Sequence, residues 1–166
     1  MALGFVSRIF MFVALCLTQV LVFNHVHLFH CATPFIYIYM VLLFPHNYPR
    51  WAALLWSFAM GLTVDTFSNT PGVAAASLTL VGAIQPYFYS LFVQRDAPED
   101  ISPSISTMGF AKFTFFVFVL VLVYCTAFFS LEAFSFFNWL LWLECIGGST
   151  LLTVILIVAI ESVRKK

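Results

Sequence analysis

The chain has 166 residues, of which 63% are apolar, 19% aromatic and 8% charged, with seven basic groups against seven acidic ones. An average soluble domain carries about 25% charged residues, so this chain lacks the polar side chains to cover a water-facing surface. That excludes a soluble globular domain, a disordered tail and a disulfide-stapled secreted module. A net charge of zero, with the basic cluster confined to Arg164-Lys165-Lys166, also argues against a nucleic-acid binder.

A membrane crossing takes about 20 mostly apolar residues. Six apolar runs predict an all-α integral membrane protein, a single polytopic domain over residues 1–166. The first crossing is 3–23. Arg8 precedes its apolar stretch and no small-x-small cleavage site follows, so it is expected to remain uncleaved. Val13-Ala14-Leu15-Cys16 places a bulky Leu15 where a lipoprotein box needs a small residue. The second crossing is 27–44. Residues 33–44 alone would span about 18 Å as a helix, so it is expected to reach back through 27–31.

After the break at Pro45–Arg50 the third crossing covers 51–65 and ends in a polar turn. The fourth is 71–92, with Thr70 expected as N-cap and Pro71 in the first helical position. Pro86 removes a hydrogen bond to Gly82 and should kink this helix. Residues 94–109 read as a solvated loop, and the fifth and sixth crossings are 110–132 and 138–161. Helices are expected throughout, because backbone groups in lipid must be satisfied within their own segment.

Charge orients the six crossings. Arg8, Arg50, Arg95, Lys112, Arg164, Lys165 and Lys166 all fall on one side, and the loops of the other side have no Lys or Arg. The positive-inside rule then places both termini and the 94–109 loop in the cytoplasm. Asp65, Glu132 and Glu144 face the outer leaflet with no cation there to pair with. A carboxyl group in hydrocarbon is costly, so it is expected to face the bundle interior or to bond locally. One reading is a polar pocket open to the outside, floored by Glu144 and rimmed by Asp65, Ser68, Asn69 and Asn138. The other is that Asp65 and Glu132 are helix-end residues at the water boundary.

His25, His27, His30 and Cys31 share the first outer loop, but a short turn gives little of the second-layer support a metal needs, so interfacial histidines are expected and no metal or cofactor. Cys16, Cys31, Cys125 and Cys145 show no CxxC spacing and read as apolar packing residues. Small residues predict close helix packing at Gly72-x-x-x-Ala76 and at Gly147-Gly148. Ser149 would need an intramembrane histidine base to act as a nucleophile, and all four histidines lie in loops. No phosphate loop, zinc-protease motif or nucleophile elbow occurs, so the chain is not expected to be an enzyme.

The stretch 57–76, SFAMGLTVDTFSNTPGVAAA, resembles the central signature of the rod shape-determining protein MreD family. In that family a glycine, here Gly61, is followed four residues later by aspartate, here Asp65, then by a short polar turn and a glycine opening the next helix, here Gly72. Residues 65–80 with Gly82-Ala83-Ile84-Gln85-Pro86 are similar to the version in one branch of the family. The length, six crossings and cytoplasmic termini agree with it, while the long 94–109 loop and the outer histidines depart from it.

The resemblance implies a non-enzymatic, multi-pass subunit of the bacterial cytoplasmic (inner) membrane. Such subunits bind MreC and couple the actin-like MreB to peptidoglycan synthesis by RodA and its transpeptidase, in contact with membrane lipid and, in a homodimer, with a second copy. It also implies a fold like the six-helix S-component of energy-coupling-factor transporters. That leaves an alternative function open: a small-solute or lipid-intermediate binding component of such a transporter.

Overall fold

The computed structural model describes residues 2–21, 33–45, 48–92, 103–133 and 139–164. Among them the only regular secondary structure is helix, with no strand: α1 (Ala2–Leu21), α2 (Ile38–Leu42), α3 (Arg50–Ser68), α4 (Val73–Phe92), α5 (Ile105–Met108), α6 (Phe110–Ala133) and α7 (Trp139–Arg164). Two of these, α6 and α7, are long and apolar enough to cross a membrane. Large apolar side chains point outward from both; Phe115, Leu151 and Ile155 are each more than half exposed. The helices α1, α3 and α4 match predicted crossings in position and are 19 or 20 residues long.

The second predicted crossing departs from expectation. Residues 33–35 are irregular, 36–37 form a turn, and the helix is the five residues Ile38–Leu42; residues 27–32 lie outside the described part. Pro34 has no N–H and disfavours helical geometry at Thr33, which stops a helix from running through this point. The segment can be irregular because it lies in the centre of the molecule, with residues 34–44 all buried. There, non-helical backbone is tolerated only if neighbours satisfy its polar groups.

They do. The Thr33 N–H donates to Ser149 Oγ at 3.2 Å and the Phe35 N–H to Thr153 Oγ1 at 3.0 Å. From α1, Gln19 takes both roles, accepting from the Ile36 N–H at 3.1 Å and donating to the Pro34 carbonyl at 3.0 Å. Gln85 Nε2 donates to the Phe44 carbonyl at 3.0 Å. Three surrounding helices thus bind the central segment from outside.

These contacts set the directions. Ser149, Thr153 and Glu161 of α7 meet Thr33, Phe35 and Tyr39 in turn, so the central segment runs parallel to α7. Late in α1, Gln19 touches its beginning; early in α1, Arg8 lies over the Tyr48 ring at 4.1 Å. Phe92 packs on Phe115 and Phe116, bringing the end of α4 to the start of α6. Arg8, Arg50, Lys112 and Arg164 therefore lie toward one end, and the α3–α4 turn lies at the other.

The expected small-residue contacts are differently distributed. A Cβ on Gly72 or Gly147 would meet nothing within 4 Å, and Ala76 is exposed, so neither Gly72-x-x-x-Ala76 nor Gly147 makes a close helix contact here. Gly148 is half-buried. The close approach is between α3 and α4, at Gly61 and at Gly82, where a Cβ would come within 2.6 Å of Ser57 Oγ. Within 94–109, residues 94–102 lie outside the described part, and the rest is not simply a solvated loop. Ser104 caps α5 through a reciprocal bond pair with Thr107, and Ile105 and Met108 are buried. Helix α4 continues through Pro86. Cys16 and Cys125 are free thiols.

Candidate functional site

The α3–α4 turn gathers the residues of the sequence signature. Helix α3 runs three residues past its predicted end, so Asp65 lies inside the helix, not after it. Asn69 then takes left-handed geometry (φ 57°), a position that asparagine tolerates better than most residues, and its N–H and that of Thr70 close onto the Asp65 carbonyl. Gly72 follows with φ 83°, where glycine carries no steric penalty. The fourth helix therefore opens at Val73, not at Pro71.

Its first turn is capped from across the turn. The Ala74 N–H donates to Asp65 Oδ1 and the Ala75 N–H to Oδ2, each at 2.9 Å. Thr70 Oγ1 adds a third bond, to Oδ1 at 3.0 Å. Thr70, expected as the N-cap, instead donates to the carboxyl group that performs that role. Asp65 is 3% exposed, and a buried carboxyl group needs such partners. Helix N-termini favour acidic groups, because their unpaired N–H groups and the helix dipole both point at the acceptor.

Gly61 makes this reach possible. A Cβ there would lie 2.6 Å from Ala75 N and 2.8 Å from the Ala74 carbonyl carbon, well inside contact distance. Without one, the α4 backbone can approach α3 closely enough for a side chain as short as aspartate to span the gap. The G-x-x-x-D spacing places both residues on one face of α3, a helical turn apart.

The other outward residues do not converge on Asp65. Glu144 is exposed on α7, and Glu132 is exposed at the end of α6. The buried face of α7 runs through Ile146, Ser149, Thr150, Thr153, Ile157 and Glu161. Glu144 lies two residues before that stripe, about 200° round the helix, so it points away from the bundle. Ser68 is half-buried and Asn69 exposed, and Asn138 lies outside the described residues. The pocket floored by Glu144 is therefore not formed by these side chains. His25, His27, His30 and Cys31 also lie outside the described residues; among those described, no three His, Cys, Asp or Glu are grouped to hold a metal.

A second polar group had no place in the sequence reading. Tyr39 OH donates to Glu161, Arg164 Nη1 donates to Tyr39 OH at 3.2 Å, and Arg164 and Glu161 form an ion pair at 3.6 Å. Tyr37 and Tyr124 share a buried hydrogen bond. With Gln19 and Gln85, these residues pin the central segment. Their signal was present: polar side chains interrupting apolar runs are expensive unless they have a partner inside.

Among the described residues these features define a helical protein with two helices able to cross a membrane, organised round a clasped α3–α4 hairpin and a buried irregular segment. No family model, curated protein or solved structure matches the chain.

Proposed function

We propose that the chain is a non-enzymatic, multi-pass scaffold subunit of the bacterial cytoplasmic membrane, serving the cell-elongation machinery. In this reading it binds MreC and so helps couple MreB to peptidoglycan synthesis by RodA and its transpeptidase. The observation that carries it is the clasp: Gly61, Asp65 and Gly72, which bear the MreD resemblance, meet in one structural unit. Asp65 spends its oxygens on Thr70, Ala74 and Ala75. That use favours a residue that shapes a hairpin over one that acts on a substrate.

Six alternating crossings with both termini inside agree with Arg8, Arg50, Lys112 and Arg164 lying toward one end. The clasped turn then faces the periplasm, where the bulk of MreC stands. The transporter-like alternative relied on convergent outer carboxyl groups, whereas Glu132 and Glu144 are exposed and Asp65 is buried.

Co-purification tests the proposal. Affinity-tagged chain, co-expressed with MreC from the same cell and extracted in mild detergent, should retain MreC in wild-type form. Gly61→Val, which forces α3 and α4 apart, should lower recovery at least tenfold at equal membrane yield, whereas Lys112→Gln should not. Failure of the wild-type chain to hold MreC, with loss of a solute uptake on deletion, would contradict the scaffold reading.

A further inference from the structure

At the end of the bundle opposite the clasp lies a cavity of 520 Å³ between the segment following α2, the start of α3 and the end of α4. Ligand sites usually occupy roughly 300–1,000 Å³. One arginine lies on its wall and a second packs on Tyr48, a wall residue. Arg50, on its wall, stacks over the Tyr87 ring at 5.2 Å and donates to Tyr87 OH at 3.2 Å. Arg8 lies 4.1 Å over the ring of Tyr48, whose other neighbour is Phe44, stacked at 5.1 Å with an interplanar angle of 1°. Among the described residues the ion pair is Arg164 with Glu161, and no described carboxylate lies within 4.0 Å of Arg8 or Arg50.

A guanidinium lying on an aromatic face can still offer its edge N–H groups to a second partner, and Arg50 gives one of its own to Tyr87 OH. Pro49 supplies no side-chain cap to α3, which leaves the positive end of that helix directed toward the same mouth. On the cavity wall, Pro86 has no N–H to offer the Gly82 carbonyl. Next in sequence to the wall residues Arg50, Leu54 and Ser90, Trp51 is 73% exposed, and Leu55 and Leu91 are also largely exposed.

We propose that this cavity seats the phosphate-bearing headgroup of an anionic phospholipid. Arg50 and Arg8 hold the phosphate by charge-assisted hydrogen bonds, and the acyl chains lie along the exposed apolar face of α3 and α4. Paired cations beside an apolar flank favour a lipid over a free anion, which would use the charge and leave the flank unused. The proposal rests on the membrane-spanning part of the proposed function and is independent of MreC.

The test uses the full chain in nanodiscs of phosphatidylcholine doped with phosphatidylglycerol, with retained lipid counted by native mass spectrometry after release. The wild-type chain should retain phosphatidylglycerol about tenfold over its bulk ratio. Arg50→Gln and Arg8→Gln should bring retention close to that ratio while helicity is unchanged, and Lys112→Gln should leave the enrichment intact. Equal retention by wild type and Arg50→Gln, or an equal loss in Lys112→Gln, would overturn the site. Displacement of phosphatidylglycerol by millimolar inorganic phosphate would overturn the lipid as its occupant. A chain that enters nanodiscs without this preference counts against the lipid site alone; one that does not enter them counts against the membrane reading as well.

Discussion

Gly61 and Asp65, one turn apart on α3, address the same two residues of α4. Where Gly61 has no side chain, the backbone of Ala74 and Ala75 moves in, and Asp65 accepts both of their N–H groups. Each residue depends on the other: the carboxyl group reaches only because the glycine lets the helices close, and the close approach holds because the carboxyl group satisfies donors that would otherwise be buried unpaired.

Asp65→Ala should therefore be strongly destabilising. It leaves two buried N–H groups without an acceptor and removes a helix cap, together roughly 2–4 kcal/mol. Asp65→Asn keeps one acceptor oxygen and should lose about half of that. Unfolding in detergent followed by circular dichroism checks the order: wild type, then Asn, then Ala.

The glycines should separate by role. Gly61→Ala places a methyl group against backbone that cannot give way, and overpacking of this kind costs about 1–3 kcal/mol. Gly72→Ala meets no neighbour but must adopt φ 83°, so it should cost about 1 kcal/mol, and Gly72→Asn less. Gly147→Ala, on an open helix face, should be neutral or stabilising by up to about 1 kcal/mol. The same melting series reads all four; a Gly147→Ala loss as large as that of Gly61→Ala would contradict this division.

Gln19→Leu should rank with the most destabilising single changes. It leaves the Ile36 N–H and the Pro34 carbonyl buried without their partner, at roughly 1–3 kcal/mol each. Ser149→Ala and Thr153→Val each remove one acceptor and should cost about half as much. Hydrogen exchange at Phe35 and Ile36 should accelerate selectively, in Thr153→Val and Gln19→Leu respectively.

Glu144→Gln, by contrast, should change stability by no more than about 0.5 kcal/mol and leave MreC recovery as in wild type, because the side chain is exposed and Asp65 draws its bonds from the α3–α4 turn. Melting and co-purification, run beside Asp65→Asn, give the comparison.

Helical class and the placement of α1, α3, α4, α6 and α7 were legible in the sequence, because long apolar runs between polar breaks carry that information without tertiary knowledge. The nature of the second segment was not. Its apolar composition suits a buried irregular strand of chain as well as a helix, and Pro34 with the polar insertions Gln19, Gln85 and Thr153 was the clue that neighbours would satisfy its backbone. Gly61, Asp65 and Gly72 were picked out by spacing, but their division of labour depends on two helices meeting. Glu144 was legible in a simpler way: the period of Ile146, Ser149, Thr153 and Ile157 turns it outward.

Orientation is the measurement on which partner, cytoskeleton and lipid site all depend. In a background free of native cysteines, Pro71→Cys at the clasped turn and Ser106→Cys before α6 can be probed in whole cells with a membrane-impermeant thiol reagent. Labelling of residue 71 from outside, with residue 106 reached only after permeabilisation, is the expected result. Residue 106 labelled from outside, with residue 71 protected, would contradict the account.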